Sequence, residues 1–587
     1  MALFSPQALT DRIRDLARNE QIILSALAVA VGLLGGGAAI GFREAIEWVQ
    51  FVFYGFDGEL FHSMAADHPW WWILLAPAGG GVLVGLILRF FSPEKRPLGV
   101  ADVIEASALH GGRMSLNAGL RGFVISAITI GSGGSAGREG PVVHFAAALA
   151  AKTARVLHLD RSLGQTLLGC GVAAGVAASF NAPIAGVFFA LEVVTGNYAL
   201  RAFAPVVIAS VTGTIVSRAY FGDYPAFILP PHEIGSFWEF PAFAMLGVLS
   251  AVVAMAFVWS IDAVQRTHKR LDLPIWARPA MAGLLVGAIG VTFPQVMGVG
   301  YEATDEALNE ELALHMLILL IVLKTAATAI TLGSGMGGGV FSPSLFLGAM
   351  LGGAFGVVAT GFFPHLSSGH GAYTLVGMGA VAGAVLGAPI STILIVFEMT
   401  GDYALTIAVM IATVIASQVM LQVFGRGFFG FQLAARGVNL AGGRESRVLR
   451  QTKIKTVMKQ DFVTLQPSAR LPEVRRALTQ TSYAEVFVVD EEGILVGTLT
   501  LLDLADDAFD RSHDDQVRAI DVCRRDPPTA DQDDDLEEAM WFLERCGEEH
   551  VAVVDEASGK LVGVLHERDV LSAYHHTVLE TRKEERI

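Results

Sequence analysis

The sequence predicts an all-α polytopic membrane protein built from an inverted repeat with broken helices, followed by a cytoplasmic α+β tail. Three observations carry that expectation. Hydrophobic residues make up 53% of the 587 residues and charged residues only 17%. The apolar runs crowd into the stretch before about residue 440, and two segments about 200 residues apart resemble each other.

The apolar runs come first. "IILSALAVAVGLLGGGAAIGF", "WWWILLAPAGGGVLVGLILRFF", "FAMLGVLSAVVAMAFVWS" and "LALHMLILLIVLKTAATAITL" include several of the roughly 20 residues that a bilayer crossing requires. Others, such as "APIAGVFFALEVV", are shorter and cut by Gly or Pro. Half-length helices of that kind suit a transporter or channel core. A soluble protein with large cores is the reading this composition excludes. Residues 1–20 read as a charged amphipathic helix, with Arg12, Arg14 and Arg18 just before the first span and no cleavable signal pattern. The positive-inside rule keeps that helix in the cytoplasm, and Trp70–Trp72 reads as an aromatic belt at the opposite interface. The expected membrane domain covers 21–437, in halves of about 30–220 and 240–437, and 438–453 reads as a linker.

Charge is concentrated in the tail. Residues 454–587 hold 30 acidic and 15 basic residues, which accounts for nearly all of the net −16. The acidity therefore describes a solvated tail, indicates no nucleic-acid partner, and says little about what crosses the membrane. Cys170, Cys523 and Cys546 are too scattered for a disulfide framework or a metal cluster.

The repeat is read from two pairs of segments. "GSGGSAGREGP" at 131–141 matches "GSGMGGGVFSP" at 333–343, an offset of 202 residues. "GVAAGVAASFNAPIAGVFFALEVVTGNYAL" at 171–200 matches "GMGAVAGAVLGAPISTILIVFEMTGDYAL" at 377–405, pairing Pro183 with Pro389, Glu192 with Glu398 and Tyr198 with Tyr403. An odd number of crossings per unit would leave the copies inverted, with a substrate site at their interface near the midplane.

Within these turns, Pro141 and Pro343 mark helix starts, where a missing N–H costs nothing. The glycines before them let the backbone turn tightly and approach a ligand. "NAPIAG" and "GAPIST" read as two more starts of the same kind. Four helix N-termini converging in the membrane would offer N–H groups and positive dipole ends to a small anion without a full charge to trap it. For any single turn, close helix packing explains Gly and Pro better than an anion site does, and it is the duplicated set that favours the anion site. Glu139, a carboxylate in the membrane interior, is a functional candidate by default and also a candidate cap for its own helix. The corresponding residue of the second turn is Phe341. Among other intramembrane polar residues, Glu192 and Glu398 are expected to make structural hydrogen bonds. Lys324 is expected to pair with a carboxylate or to snorkel, and His144 to be a packed neutral histidine near Glu139.

With these motifs in place, the chain resembles the CLC family of chloride channels and proton-coupled anion exchangers over about residues 20–440. "GREGP" (137–141) is similar to its gating-glutamate motif and "GGVFSP" (338–343) to its second anion-binding motif. The resemblance implies a homodimer in the lipid bilayer with a separate pathway for small anions in each subunit, and no required cofactor or metal. It makes Glu139 the gate, flanked by Gly137, Arg138 and Gly140, and gives the central anion to Gly339 and the amides of Val340 and Phe341. The chain also departs from the pattern. Leu98, in "PLGVADV", stands where the family usually has an anion-touching serine. Phe428, Phe429 and Phe431 fall where it has a tyrosine, with Phe429 the anion-site candidate. Val193 replaces the proton-relay glutamate of many exchangers. The expectation is chloride-type anion conduction that leans to a passive channel, with a proton-coupled antiporter as the alternative. The setting implied is the plasma (inner) membrane of a prokaryote, both termini cytoplasmic.

In the tail, "AEVFVVDEEGILVGTLTLLDL" (484–504) is echoed by "EHVAVVDEASGKLVGVLHERDV" (549–570). Each reads strand, acidic turn, strand, then a helix opened by Asp. This resembles a tandem CBS pair, about 454–507 and 517–575 within 454–587, and such pairs often bind adenine nucleotides (ATP, ADP or AMP) between the modules. The resemblance makes Thr500, Asp503, His566 and Asp569 the nucleotide candidates, while both Asp fit a helix N-cap equally well. A ligand sensor with little transport and a CBS-linked divalent-cation transporter are the readings from other classes. The second lacks the core carboxylates that a hard cation needs. No nucleophile–base or metal-ligand constellation suggests an enzyme.

Overall fold

Proline and left-handed residues set where the membrane helices start and stop. In a computed structural model of the chain, the described residues are 20–586 apart from 59, 197–199, 224–235, 271–272, 439–448, 450–451, 482–484, 505–510, 513, 547 and 557. The expected helix over 1–20 and most of the 438–453 linker lie outside them, as does Tyr198. The chain divides after Val438 into two units.

The first unit is helical, and its helices fall into two matching series. The first runs Glu20–Tyr54, Trp70–Phe90, Val100–Leu109, Leu116–Gly131, Glu139–Val156, Arg161–Phe180, Pro183–Phe189 and Leu200–Phe221. The second runs Phe240–Arg270, Ala277–Thr292, Tyr301–Leu308, Leu314–Gly333, Phe341–Phe362, His370–Leu386, Pro389–Thr400 and Tyr403–Phe424. Phe61–Ala66 and Phe428–Ala434 fall outside the matching. Among the described residues, eight helices are long and apolar enough to cross a membrane. The breaks have local causes. Arg161–Phe180 and His370–Leu386 end on left-handed Asn181 and Gly387, and the next helices start on Pro183 and Pro389. Those two helices terminate in turn at left-handed Gly196 and Gly401, the first after a wider turn over Ala190–Thr195. A left-handed residue followed by proline cannot continue a helix, so the interruptions are written in the sequence.

Equivalent helices pack on each other. Trp70–Phe90 lies against Ala277–Thr292, and the contact is reciprocal: a Cβ on Gly81 would lie 2.2 Å from the Pro279 carbonyl oxygen, and one on Gly283 2.0 Å from that of Pro77. Only glycine permits so close an approach of two backbones. The reciprocity is what an inverted repeat produces when its halves meet.

The second unit contains two small sheets. Thr464–Leu465 pairs in parallel with Glu485–Val489, which is antiparallel to Leu495–Thr500, itself antiparallel to Arg524–Arg525. Thr529–Asp531 pairs in parallel with His550–Asp555, which is antiparallel to Lys560–His566. The modules exchange segments. Leu449 and Ile454 pack in the core of the second sheet with Val551 and Leu565, while Ala519 and Cys523 pack in the core of the first with Val486 and Leu499. The strand–turn–strand repeat showed the modules, but nothing local showed this exchange.

Candidate functional site

The two glycine turns meet. The Gly137 N–H donates to the Gly339 carbonyl at 2.8 Å and the Gly339 N–H donates to the Gly137 carbonyl at 2.7 Å, an antiparallel bridge between equivalent residues of the two halves. Each turn then delivers a helix start, Glu139–Val156 from one and Phe341–Phe362 from the other, with Pro141 and Pro343 in the first turns. The Glu139 side chain is 1% exposed and lies at the start of the opposite helix. Ser342 Oγ, in the first turn of Phe341–Phe362, is 2.6 Å from each of its carboxylate oxygens, and Tyr301 Oη donates to Oε1 at 2.7 Å. A Cβ on Gly137 would lie 3.0 Å from Glu139 Oε2 and 3.0 Å from the Ser342 amide nitrogen. The carboxylate thus occupies a position that an anion would take at a helix N-terminus.

Beside it runs a cavity of about 320 Å³ lined by Leu98, Glu139, Gly140, Val340, Phe341 and Phe429, with Phe428 and Phe431. The residues proposed for the missing hydroxyls and those proposed for the gate and the anion amides therefore share one space. Phe341 is 4% exposed and its ring stacks with Phe180 and Phe189, at centroid distances of 4.7 and 6.0 Å. The same cavity reaches Lys95, Arg96, Lys269, Arg278 and Arg436, against Asp102 and Asp262. Arg96 and Arg436 both bind Asp102, at 2.6 and 3.0 Å.

Several sequence expectations are corrected by the geometry. The amides of Gly137 and Gly339 are spent on each other, so they shape the turns rather than offer donors to an anion. Arg138 lies on the far side, in a cleft with Arg43 and Glu47, its guanidinium 4.6 Å from the centre of the Tyr301 ring. The helix starts at Pro183 and Pro389 are not open either. Glu398 accepts from the amides of Ile184 and Ala185, at 2.9 and 2.7 Å. Glu192 accepts from those of Ile390 and Ser391, at 3.0 and 2.9 Å, and from the Ser391 hydroxyl. Each half caps the other half's helix. Of the four expected starts, only those of Glu139–Val156 and Phe341–Phe362 line the cavity, which the starts of Val100–Leu109 and Phe428–Ala434 also reach. Lys324, fully buried, neither pairs with a carboxylate nor snorkels: Nζ donates to the carbonyls of Val296, Gly298 and Val299 at 3.0, 3.1 and 3.4 Å. His144 is buried on the Glu139–Val156 helix, and Val193 is half-buried beside the capping Glu192.

Tyr301 and Ser342 are the hydrogen-bond partners of Glu139 that sequence reasoning missed. Ser342 sat inside a quoted motif, one position after Phe341. Tyr301 carried only the weak signal of an aromatic hydroxyl after "GVG".

Outside the membrane-spanning helices, His62 lies between two carboxylates, Nδ1 2.9 Å from Glu302 and Nε2 3.1 Å from Glu306. Burial disfavours the charged ring, but hydrogen bonds and the charges of Glu302 and Glu306 outweigh it and push its pKa up to about 9. Among the described residues this is the grouping most like a metal site. Both ring nitrogens of His62 are engaged by the two carboxylates.

In the tail, Asp503 Oδ2 accepts from the Thr500 amide and hydroxyl at 2.8 and 2.7 Å, which is a helix cap. His566 stacks edge-on with His550, centroids 4.1 Å apart, and burial and the neighbouring His550 charge push its pKa down to about 4. Asp569 lies 3.8 Å from Lys459 Nζ.

Comparison with known proteins fits this geometry. Residues 80–421 match the family model described as "Voltage gated chloride channel", and residues 454–509 and 517–576 each match the CBS domain. The voltage-gated ClC-type chloride channel ClcB of Escherichia coli O157:H7 is 32% identical over 397 residues, covering 67% of this chain and 94% of the relative. Among solved structures, a slow cyanobacterial Cl⁻/H⁺ antiporter aligns with TM-score 0.62 and 24% identity, over 70% of this chain and 97% of its own. A eukaryotic CLC transporter aligns with TM-score 0.60 and 19% identity, over 93% of this chain and 97% of its own. The chain belongs to the voltage-gated chloride channel (CLC) family, a multi-pass membrane protein for anion transport that carries a C-terminal CBS pair.

Proposed function

We propose that Glu139 is the gate of an anion pathway that runs through the cavity bounded by Val340, Phe341, Leu98 and Phe429. The observation that carries this reading is the buried carboxylate set at the start of the Phe341–Phe362 helix, bonded to Ser342 and Tyr301. While ionised it occupies the place of a permeating anion; once protonated it no longer competes for it, and the pathway opens. Conduction is passive and channel-like, because Val193 cannot carry the proton that an internal glutamate relays. The preferred ion is a small monovalent anion, chloride or similar, at an inner constriction that Leu98 and Phe429 leave without side-chain hydroxyls. The protein works as a homodimer in the inner membrane of a prokaryote with both termini in the cytoplasm. Arg12, Arg14 and Arg18 and the bacterial relative support that placement.

The second reading is a proton-coupled antiporter, favoured by the named activity of the cyanobacterial structural neighbour. Liposome flux with internal pH monitored separates the two. Under the channel reading an anion gradient drives no uphill proton movement; steady uphill movement overturns it. In the same assay Glu139→Gln should raise neutral-pH flux by roughly tenfold, about 1.4 kcal/mol off the barrier, and abolish its pH dependence. A variant that keeps the wild-type pH profile removes Glu139 from the role. For the tail we propose that an adenine nucleotide binds between the CBS modules, with Asp503 and Asp569 on the ribose and Lys459 near the phosphates. Titration with ATP, ADP and AMP, with Asp503→Ala as control, tests it: no heat of binding for any of the three rejects it.

A further inference from the structure

We propose that Tyr301 and Ser342 form a two-hydroxyl latch that holds Glu139 closed, and that Tyr301 sets the proton concentration at which the gate lets go. This rests on the reading of Glu139 as the gate.

The two donors reach the carboxylate from different elements. Ser342 belongs to the Phe341–Phe362 helix, and Tyr301 opens the short helix Tyr301–Leu308. Both hydroxyls donate, and an ionised carboxylate is the better acceptor, so they favour the charged, closed form. Once a proton is taken up, that preference is lost and the side chain is free to leave.

A latch must be more rigid than what it holds, and Tyr301 is fixed on both sides. Immediately before it, the carbonyls of Val296, Gly298 and Val299 are gathered by Lys324. Immediately after it, Glu302 accepts from the amides of His62 and Ser63 at 2.9 and 3.3 Å and pairs with the His62 ring. These contacts pre-place the phenol hydroxyl. The charged and titratable groups around the gate include Arg138, stacked on Tyr301, with Arg43 and Glu47 in the same cleft. Asp102, with Arg96 and Arg436, lines the cavity beside Glu139 together with Lys95, Asp262, His268, Lys269 and Arg278, and His144 lies further along the Glu139 helix. Tyr301→Phe leaves all of them in place and keeps the ring under Arg138, so it isolates the hydroxyl.

The test is anion efflux from liposomes containing the full-length protein, measured across the pH range in which carboxylates titrate. Tyr301→Phe should move the half-maximal pH upward by about one unit, a tenfold change in proton affinity or about 1.4 kcal/mol. Ser342→Ala should move it the same way, and should Tyr301→Phe fail to fold, it carries the same test. In a Glu139→Gln background, Tyr301→Phe should shift nothing along the pH axis. An unmoved midpoint in both hydroxyl variants, with Glu139→Gln pH-independent, overturns the latch and leaves the gate standing. Wild-type pH dependence in Glu139→Gln overturns the gate and the latch together.

Discussion

The turn at 131–141 and the turn at 333–343 share a backbone and differ in what they carry. Their equivalent residues Gly137 and Gly339 bond to each other, and each launches a helix toward the same cavity. At the matching position one bears Glu139 and the other Phe341, packed against Phe180 and Phe189. Duplication supplied two helix starts that line one cavity. Divergence at one position left the first with a buried carboxylate and the second with a packed phenylalanine ring. A symmetric pair of carboxylates would fill both starts and repel each other; a symmetric pair of phenylalanines would leave no proton-sensitive element.

The comparison can be broken where it is asymmetric and sharpened where it is symmetric. The largest effect belongs to the asymmetric position: Glu139→Gln changes flux and its pH profile, as set out above, and the Tyr301→Phe shift follows from the same contact. Next come the reciprocal caps. Glu192→Ala and Glu398→Ala should each lower stability by about 2 kcal/mol, since each leaves two amides at a helix start without their charged acceptor. Thermal unfolding in detergent would read this. The two losses should be similar, and a loss in only one would mean that the halves do not support each other equally. The smallest effect concerns the His62 clasp, which only the second half's short helix receives. A histidine whose folded pKa is raised contributes stability that is fully present below its unfolded value, about 6.5, and is lost as pH rises through about 9. His62→Gln should therefore cost about 1 kcal/mol at neutral pH and nothing in more alkaline buffer, read as a difference in melting temperature that closes with pH.

Much of the candidate site was legible because glycine, proline and left-handed residues act locally. Pro183, Pro389, Gly196 and Gly401 mark helix boundaries whatever surrounds them. The repeat pointed to Glu139 through its mismatch with Phe341. The departures at Leu98 and Phe429 could be placed only by resemblance, yet both line the cavity with Glu139. Lys324 was misjudged for a physical reason: a buried ammonium was expected to seek a carboxylate, and a turn with three inward carbonyls satisfied it instead.

The sequence by itself determined the repeat, the helix breaks, the position of the gate candidate and the two-module tail, since each rests on residues near one another or on self-similarity. Tertiary structure alone decided which groups meet. Tyr301 reaches Glu139 across 162 positions, Ser342 across 203, and Glu398 caps Ile184 across 214. Such bonds depend on how whole helices pack, and a hydroxyl or carboxylate on an apolar helix carries no local mark of the partner it will find.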